Sequence, residues 1–322
     1  AIASMWLLAL MPSHILPVVL LRYEIWLQFL LALGLWASLW LRSAGRWAGL
    51  AIGVTVLATL VRPLWLVLPL FLWLVGRYLG RAPVRWRHLA MAQLGAVLLL
   101  APWVWVSSVD AGQFVPIALN GGVNLWIGNN PHATGAYISP PGEYWDPRNE
   151  APARAAALAF MVDEPARVVE LTLRKVWYSF AYEPWAEWVF LKTTVALPDQ
   201  LPGGVQALLN LYYWMLWPLV LGAAAWLVAA GRTRWLLPLL LVAYSVGSQL
   251  PFFGTPRFRW TVQFVLIAYA AAFPFLIRAS QAAQGRTRPA LTAQSPWARV
   301  QSVATTGDSV PVATTISAEG EA

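Results

Sequence analysis

The chain has 322 residues, of which 59% are hydrophobic and only 11% charged, with 21 tryptophans, no cysteine and a formal net charge of +8. Soluble domains carry about 25% charged residues, so composition excludes an ordinary soluble domain and points to a polytopic membrane protein. The missing cysteines exclude disulfides and thiolate metal sites. The arginines flank apolar stretches instead of forming one stripe, which argues against a nucleic-acid partner.

A membrane-crossing helix needs about 20 apolar residues. Eight spans are predicted in chain order: 1–20, 24–41, 47–61, 63–76, 89–107, 208–230, 235–252 and 260–278. The first opens as AIASMWLLAL, without an initiator Met, a basic n-region or a small-residue cleavage motif. The expectation is a piece of a longer membrane protein with no signal peptide here. The third and fourth spans are short and meet at Val61-Arg62-Pro63. Pro63 disfavours helical geometry at Arg62, so a break is predicted there.

Between the fifth and sixth spans lies a polar insert, Ser107 to about Gln206, that holds ten of the fourteen acidic residues. Its first half, Asn120 to Tyr137, is rich in Gly and Asn and reads as turns mixed with aromatics. Its second half, about Glu150 to Ser179, reads as helix. Ala157, Phe160, Met161, Val168, Leu171 and Trp177 recur there at helical spacing. Arg174 and Lys175, near the end of that stretch, are expected at the bilayer surface. Residues 281–322 are rich in Ala, Thr, Ser and Gln and read as a disordered tail.

The basic loops fix an orientation. Arg42 and Arg46, then Arg77, Arg81, Arg85 and Arg87, then Arg232 and Arg234, are expected in the cytoplasm. The opposite face then carries Glu24, Arg62, the insert and the loop Pro251 to Arg259. The expected fold is an all-α polytopic membrane bundle of about eight spans with one large mixed outer loop domain. Residues 1–107 hold spans and short cytoplasmic basic loops, 108–206 form the extracytoplasmic loop domain, 207–280 hold the last spans, and 281–322 are the cytoplasmic tail. The membrane expected is the cytoplasmic (inner) one. Ionisable groups at membrane depth are costly and usually functional, so the outer face is where a site is sought.

Several stretches carry a resemblance. The segment NGGVNLWIGNNPHATGAY, starting at Asn120, resembles the outer loop of bacterial polyprenyl-phosphate-sugar-dependent glycosyltransferases. These are the family 39-like members of the GT-C superfamily. Pro12 to Glu24, Leu60-Val-Arg-Pro63, Glu164 to Lys175 and Gly254-Thr-Pro-Arg-Phe-Arg259 are similar to further family stretches, in the family's order, over roughly residues 1–280. The resemblance implies transfer of a sugar from a lipid-linked phosphate donor to an extracytoplasmic acceptor. It also implies an acidic residue after a first span, in a region expected to precede Ala1.

Under that resemblance Glu24 is the catalytic candidate, orienting an acceptor hydroxyl, binding a metal or pairing with a basic group. The plainer reading is a carboxylate favoured by a helix N-terminus. Arg62, Arg257 and Arg259 are candidates for the donor phosphate, since guanidinium suits bidentate phosphate recognition. Their plainer role is contact with lipid headgroups. Asn124, Asn129, Asn130, His132 and Tyr137 are candidate acceptor or sugar contacts, with Asn120 beside them; asparagines also satisfy tight turns locally. Asp146 is a further acid/base candidate, and a solvated turn is its plainer reading. A divalent metal is left open, because His14, His132 and Glu24 make no ligand spacing; no other cofactor is implied. The partners implied are a polyprenyl-phosphate-linked sugar, an extracytoplasmic acceptor and membrane lipids. No Walker loop, GxSxG elbow or HExxH is present. The rival readings are a non-catalytic flippase or assembly subunit of envelope polysaccharide synthesis, and an O-antigen-type ligase or polymerase.

Overall fold

The computed structural model describes residues 23–115, 120–139, 149–181 and 203–287. The predicted first span, His14, Asp146 and most of the predicted tail lie outside the described residues. The chain forms two compact units, Ala1–Leu276 and Ile277–Ala322. Of the second, only the end of the last helix is described.

The described residues are mostly helical, with no strand among them. The first two helices are α1 (Tyr23–Trp40) and α2 (Ala44–Val61). They are joined by three residues, so they lie antiparallel. Ser43 caps α2 by accepting a hydrogen bond from the Arg46 N–H. The break predicted before Pro63 is present. Arg62 is extended, with φ −144° and ψ 118°, and ends α2. A 3₁₀ turn, Pro63–Val67, follows and leads into α3 (Leu68–Tyr78). The long α4 (Trp86–Ala111) packs on α2 and α3.

The insert contributes α5 (Gly121–Gly128), α6 (Glu150–Asp163) and α7 (Pro165–Phe180). Two expectations change here. The first half of the insert contains a helix where turns were expected. The second half is two helices, broken at Glu164-Pro165. The α5 helix forms because Glu150, far along the chain, supplies what its N-terminus lacks. Glu150 Oε1 accepts from the Gly122 N–H at 2.5 Å, and Oε2 accepts from the Val123 N–H at 3.3 Å. These are two of the orphan donors every helix start exposes, and the carboxylate also complements the helix dipole.

The chain continues with α8 (Gly203–Ala229), a 3₁₀ turn (Thr233–Leu236) and α9 (Leu239–Gly247). A short α10 (Arg257–Trp260) precedes α11 (Gln263–Thr287). Among the described residues, four stretches are long and apolar enough to cross a membrane: Ala44–Val61, Trp86–Ala111, Gln206–Ala229 and Gln263–Gln281. Pro63–Tyr78 and Thr233–Gly247 are shorter apolar stretches. The core joins Leu27 and Leu31 of α1 with Trp47, Ala51 and Val54 of α2, Leu68 and Leu72 of α3, and Val265 and Ile267 of α11. Trp86, Leu98, Leu99 and Trp105 of α4 point outward and are exposed. Exposed apolar area on this scale marks an interaction surface, and on a helix long and apolar enough to cross a membrane such a surface suits lipid.

Candidate functional site

The first turn of α1 meets the break after α2. Glu24 is 2% exposed and Arg62 is 9% exposed. Because α1 and α2 form an antiparallel hairpin, the start of one lies beside the end of the other. Arg62 Nη2 donates to Glu24 Oε1 at 3.3 Å. A helical Arg62 would continue α2; the extended backbone imposed by Pro63 turns it out of the helix.

Arg257 reaches the same carboxylate oxygen from the start of α10. Its Nε donates to Glu24 Oε1 at 2.9 Å, its Nη2 also donates to that oxygen, and Nη2 donates to the Tyr23 hydroxyl at 2.9 Å. Aromatic rings wall the group. The Arg62 guanidinium lies 5.0 Å from the Phe258 ring centroid and 5.4 Å from that of Tyr23, and Arg257 lies 5.7 Å from Tyr23. Such cation–π contacts contribute about 0.5–2 kcal/mol each, more when desolvated. Two guanidinium groups thus face one carboxylate among the described residues. Glu24 Oε2 is buried and has no hydrogen-bond partner among the described residues. A buried oxygen left so costs about 1–3 kcal/mol.

The α9 helix fixes both arginine-bearing segments. The Tyr244 hydroxyl donates to the Leu64 carbonyl in the 3₁₀ turn after Arg62. Its ring packs on Trp65 and Phe71 at centroid distances of 5.5 and 4.9 Å. One residue on, Ser245 Oγ donates to the Phe258 carbonyl at 2.7 Å. One helix therefore positions Arg62 on one side and Arg257 on the other.

Arg259 does not join this group. It is fully buried, with Nη1 donating to the Ser179 carbonyl at 2.9 Å and Nε donating to Gln263 Oε1 at 3.3 Å. Its guanidinium stacks 3.9 Å from the Tyr213 ring centroid. These contacts tie α7, α8 and the start of α11 together, and they occupy the face a phosphate would need.

Lys175 departs from its expected place at the bilayer surface, being 1% exposed. Its Nζ donates to Asn129 Oδ1 at 3.0 Å. Burial lowers its pKa from 10.5 to about 8. Asn129 is in turn fully engaged as a donor, its Nδ2 bonding the carbonyls of Leu125 at 2.8 Å and Pro251 at 2.5 Å. Asn130 closes a local turn: its Nδ2 donates to the Trp126 carbonyl and its Oδ1 accepts from the His132 N–H. The Asn130 amide thus serves a local turn, the role asparagine has there, while the Asn129 amide links Lys175 to the Leu125 and Pro251 carbonyls. Asn124 is half-buried on α5 and His132 is exposed. Tyr137 is exposed and packs against Phe253, with ring centroids 5.0 Å apart.

The resembling stretches are nonetheless drawn together. Gly254 N–H donates to the Gly135 carbonyl at 2.8 Å, in an isolated parallel bridge between Ala136 and Gly254. A Cβ on Gly128 would fall 1.3 Å from the Phe252 carbonyl oxygen, so α5 approaches that loop as only glycine allows. Sequence reasoning missed Tyr23, Phe258, Ser245 and the helix-capping Glu150. Only Tyr23 and Phe258 had a signal, as aromatic neighbours of Glu24 and Arg257. Among the described residues no three His, Cys, Asp or Glu side chains gather as a metal site.

The fold and site together define a helical membrane protein with a buried carboxylate held by two arginines where its first described helix begins. No protein-family model matches the chain, and no curated protein or solved structure matches it significantly.

Proposed function

We propose that the chain belongs to an integral-membrane glycosyltransferase that moves a sugar from a polyprenyl-phosphate donor to an extracytoplasmic lipid, glycan or protein. The observation that carries this reading is the meeting of Arg62 and Arg257 on one oxygen of Glu24, with the other oxygen buried and unpartnered among the described residues. Paired guanidiniums suit a phosphate monoanion or dianion at headgroup depth. In the reaction, the acceptor hydroxyl oxygen bonds to the anomeric carbon, and the bond from that carbon to the phosphate oxygen breaks. The phosphate leaves with the bonding electrons, and Arg62 and Arg257 stabilise its charge. Glu24 Oε2 accepts the hydroxyl proton. A flippase or assembly subunit needs the arginines but no carboxylate among them, so the carboxylate held between the arginines favours the transferase. An O-antigen-type ligase or polymerase differs in taking a diphosphate-linked glycan.

The topology proposed with this function has eight spans in the inner membrane, with residues 108–206 outside. The basic loops at 42–46, 77–88 and 231–234 face the cytoplasm, as the arginine bias favours. Glu24, Arg62 and Arg257 then share the outer face.

Donor binding is the test. Arg62→Ala and Arg257→Ala should each weaken binding of a polyprenyl-phosphate sugar by about 1.5–3 kcal/mol, the value of a hydrogen bond to a charged group. Unchanged affinity in both variants rejects the phosphate role. Preference for a diphosphate-linked glycan over the monophosphate sugar selects the ligase reading.

A further inference from the structure

The α7 helix is built with its polarity reversed. At 3.6 residues per turn, Leu171, Lys175 and Ser179 fall on one face, and that face is buried. Val169, Leu173, Val176 and Trp177 fall on another, and that face is exposed: 62% for Val169, 67% for Leu173 and 62% for Trp177. A helix of a soluble domain turns its apolar face inward. Here a lysine faces in, while two valines, a leucine and a tryptophan face out. Charged residues border the exposed apolar face along one side. Arg167 and Arg174 both pair with Glu170, Arg174 at 2.6 Å, which leaves a positive excess along that border.

We propose that α7 lies flat on the membrane, with Val169, Leu173, Val176 and Trp177 at the boundary between headgroups and acyl chains. Three observations name lipid as the occupant. Apolar residues with a tryptophan on one face and arginines beside them are the make-up of an interfacial helix. The arginine excess complements anionic headgroups. The inner face of α7 is also fastened to the segment that opens the last span, by Arg259 to the Ser179 carbonyl and by the close approach of Gly254 to Lys175. A helix fastened there is held at the depth where α11 enters the bilayer. The inference rests on the membrane character of the chain and not on its chemistry.

The chain has no native cysteine, so single-cysteine nitroxide labels report cleanly. Leu173→Cys and Val169→Cys would be labelled in the whole protein, in vesicles of phosphatidylcholine and phosphatidylglycerol. Asp163→Cys, exposed before the helix, is the aqueous reference. The expected result is faster collision with oxygen than with a water-soluble nickel chelate at 169 and 173, and the reverse at 163. Brominated lipids should also quench the fluorescence difference between wild type and Trp177→Phe. Chelate-dominated collisions at 173 overturn the proposal, since the face is then in water. Exclusion of both reagents also overturns it, since the face is then covered by protein.

Discussion

Arg257 and Glu24 stand 233 residues apart in sequence, yet Arg257 places both Nε and Nη2 on a single oxygen of Glu24. Arg62 takes the same oxygen from a third segment. Three distant polar residues in an apolar chain are thereby held as one electrostatic unit. Removing one partner from such a unit leaves buried charge uncompensated.

Glu24→Ala should therefore destabilise the protein by about 3–5 kcal/mol, seen as a large fall in the thermal midpoint in detergent. Glu24→Ala with Arg62→Ala should cost less than the sum of the single changes, with coupling on the order of 0.5–3 kcal/mol. Additive midpoint shifts would show that the two side chains act independently.

Glu24→Gln keeps the shape of the side chain and removes its charge. Turnover per folded molecule should fall by at least about 100-fold, the lower range for a lost general base. Wild-type turnover in a folded Glu24→Gln protein would remove Glu24 from the chemistry and leave it as a clasp for the arginines.

Gly128→Ala tests the docking of α5. A Cβ there would sit 1.3 Å from the Phe252 carbonyl oxygen, a backbone atom that cannot rotate away. The change should cost about 3 kcal/mol, the upper range for overpacking, and protease digestion should then cut within 120–139 more readily. Gly49→Ala, where a Cβ meets nothing within 4 Å, is the matched control and should leave the digestion pattern unchanged.

Lys175 makes stability depend on pH. Its pKa is about 8 in the folded protein and 10.5 as an ordinary lysine. Between those values the unfolded chain binds more protons, so stability rises with pH across that window. Below about pH 8 the lysine is charged in both states and the burial cost is present in full. The wild-type thermal midpoint should therefore rise from pH 8 to 10.5 relative to Lys175→Met. Parallel midpoints over that range would mean Lys175 keeps an ordinary pKa.

Cysteine labelling tests the orientation. Arg81→Cys in a basic loop and Ile138→Cys in the insert are both exposed positions. An impermeant maleimide should reach position 138 in intact cells and position 81 only after permeabilisation. Labelling of both from the same side breaks the eight-span arrangement.

The sequence by itself determined what depends on neighbours and on averages. Composition gave the membrane character, because too few charged residues are present to solvate a globular surface. Pro63 gave the break at Arg62, because a proline restricts the residue just before it whatever the rest of the fold does. Glu24, Arg62 and Arg257 stood out because polar groups beside apolar spans are costly. The tertiary structure decided which of these meet. Arg259 carries the same guanidinium as Arg257 two residues away, yet turns into the Ser179 carbonyl and the Tyr213 ring. The α5 helix has no cap of its own and depends on Glu150, which only the packing of α6 brings near. Lys175 reads in sequence as a surface cation, and Asn129 together with the Gly254 loop encloses it. Each of these outcomes rests on a partner far along the chain, and long-range pairing is set by how whole helices pack, which local pattern does not encode.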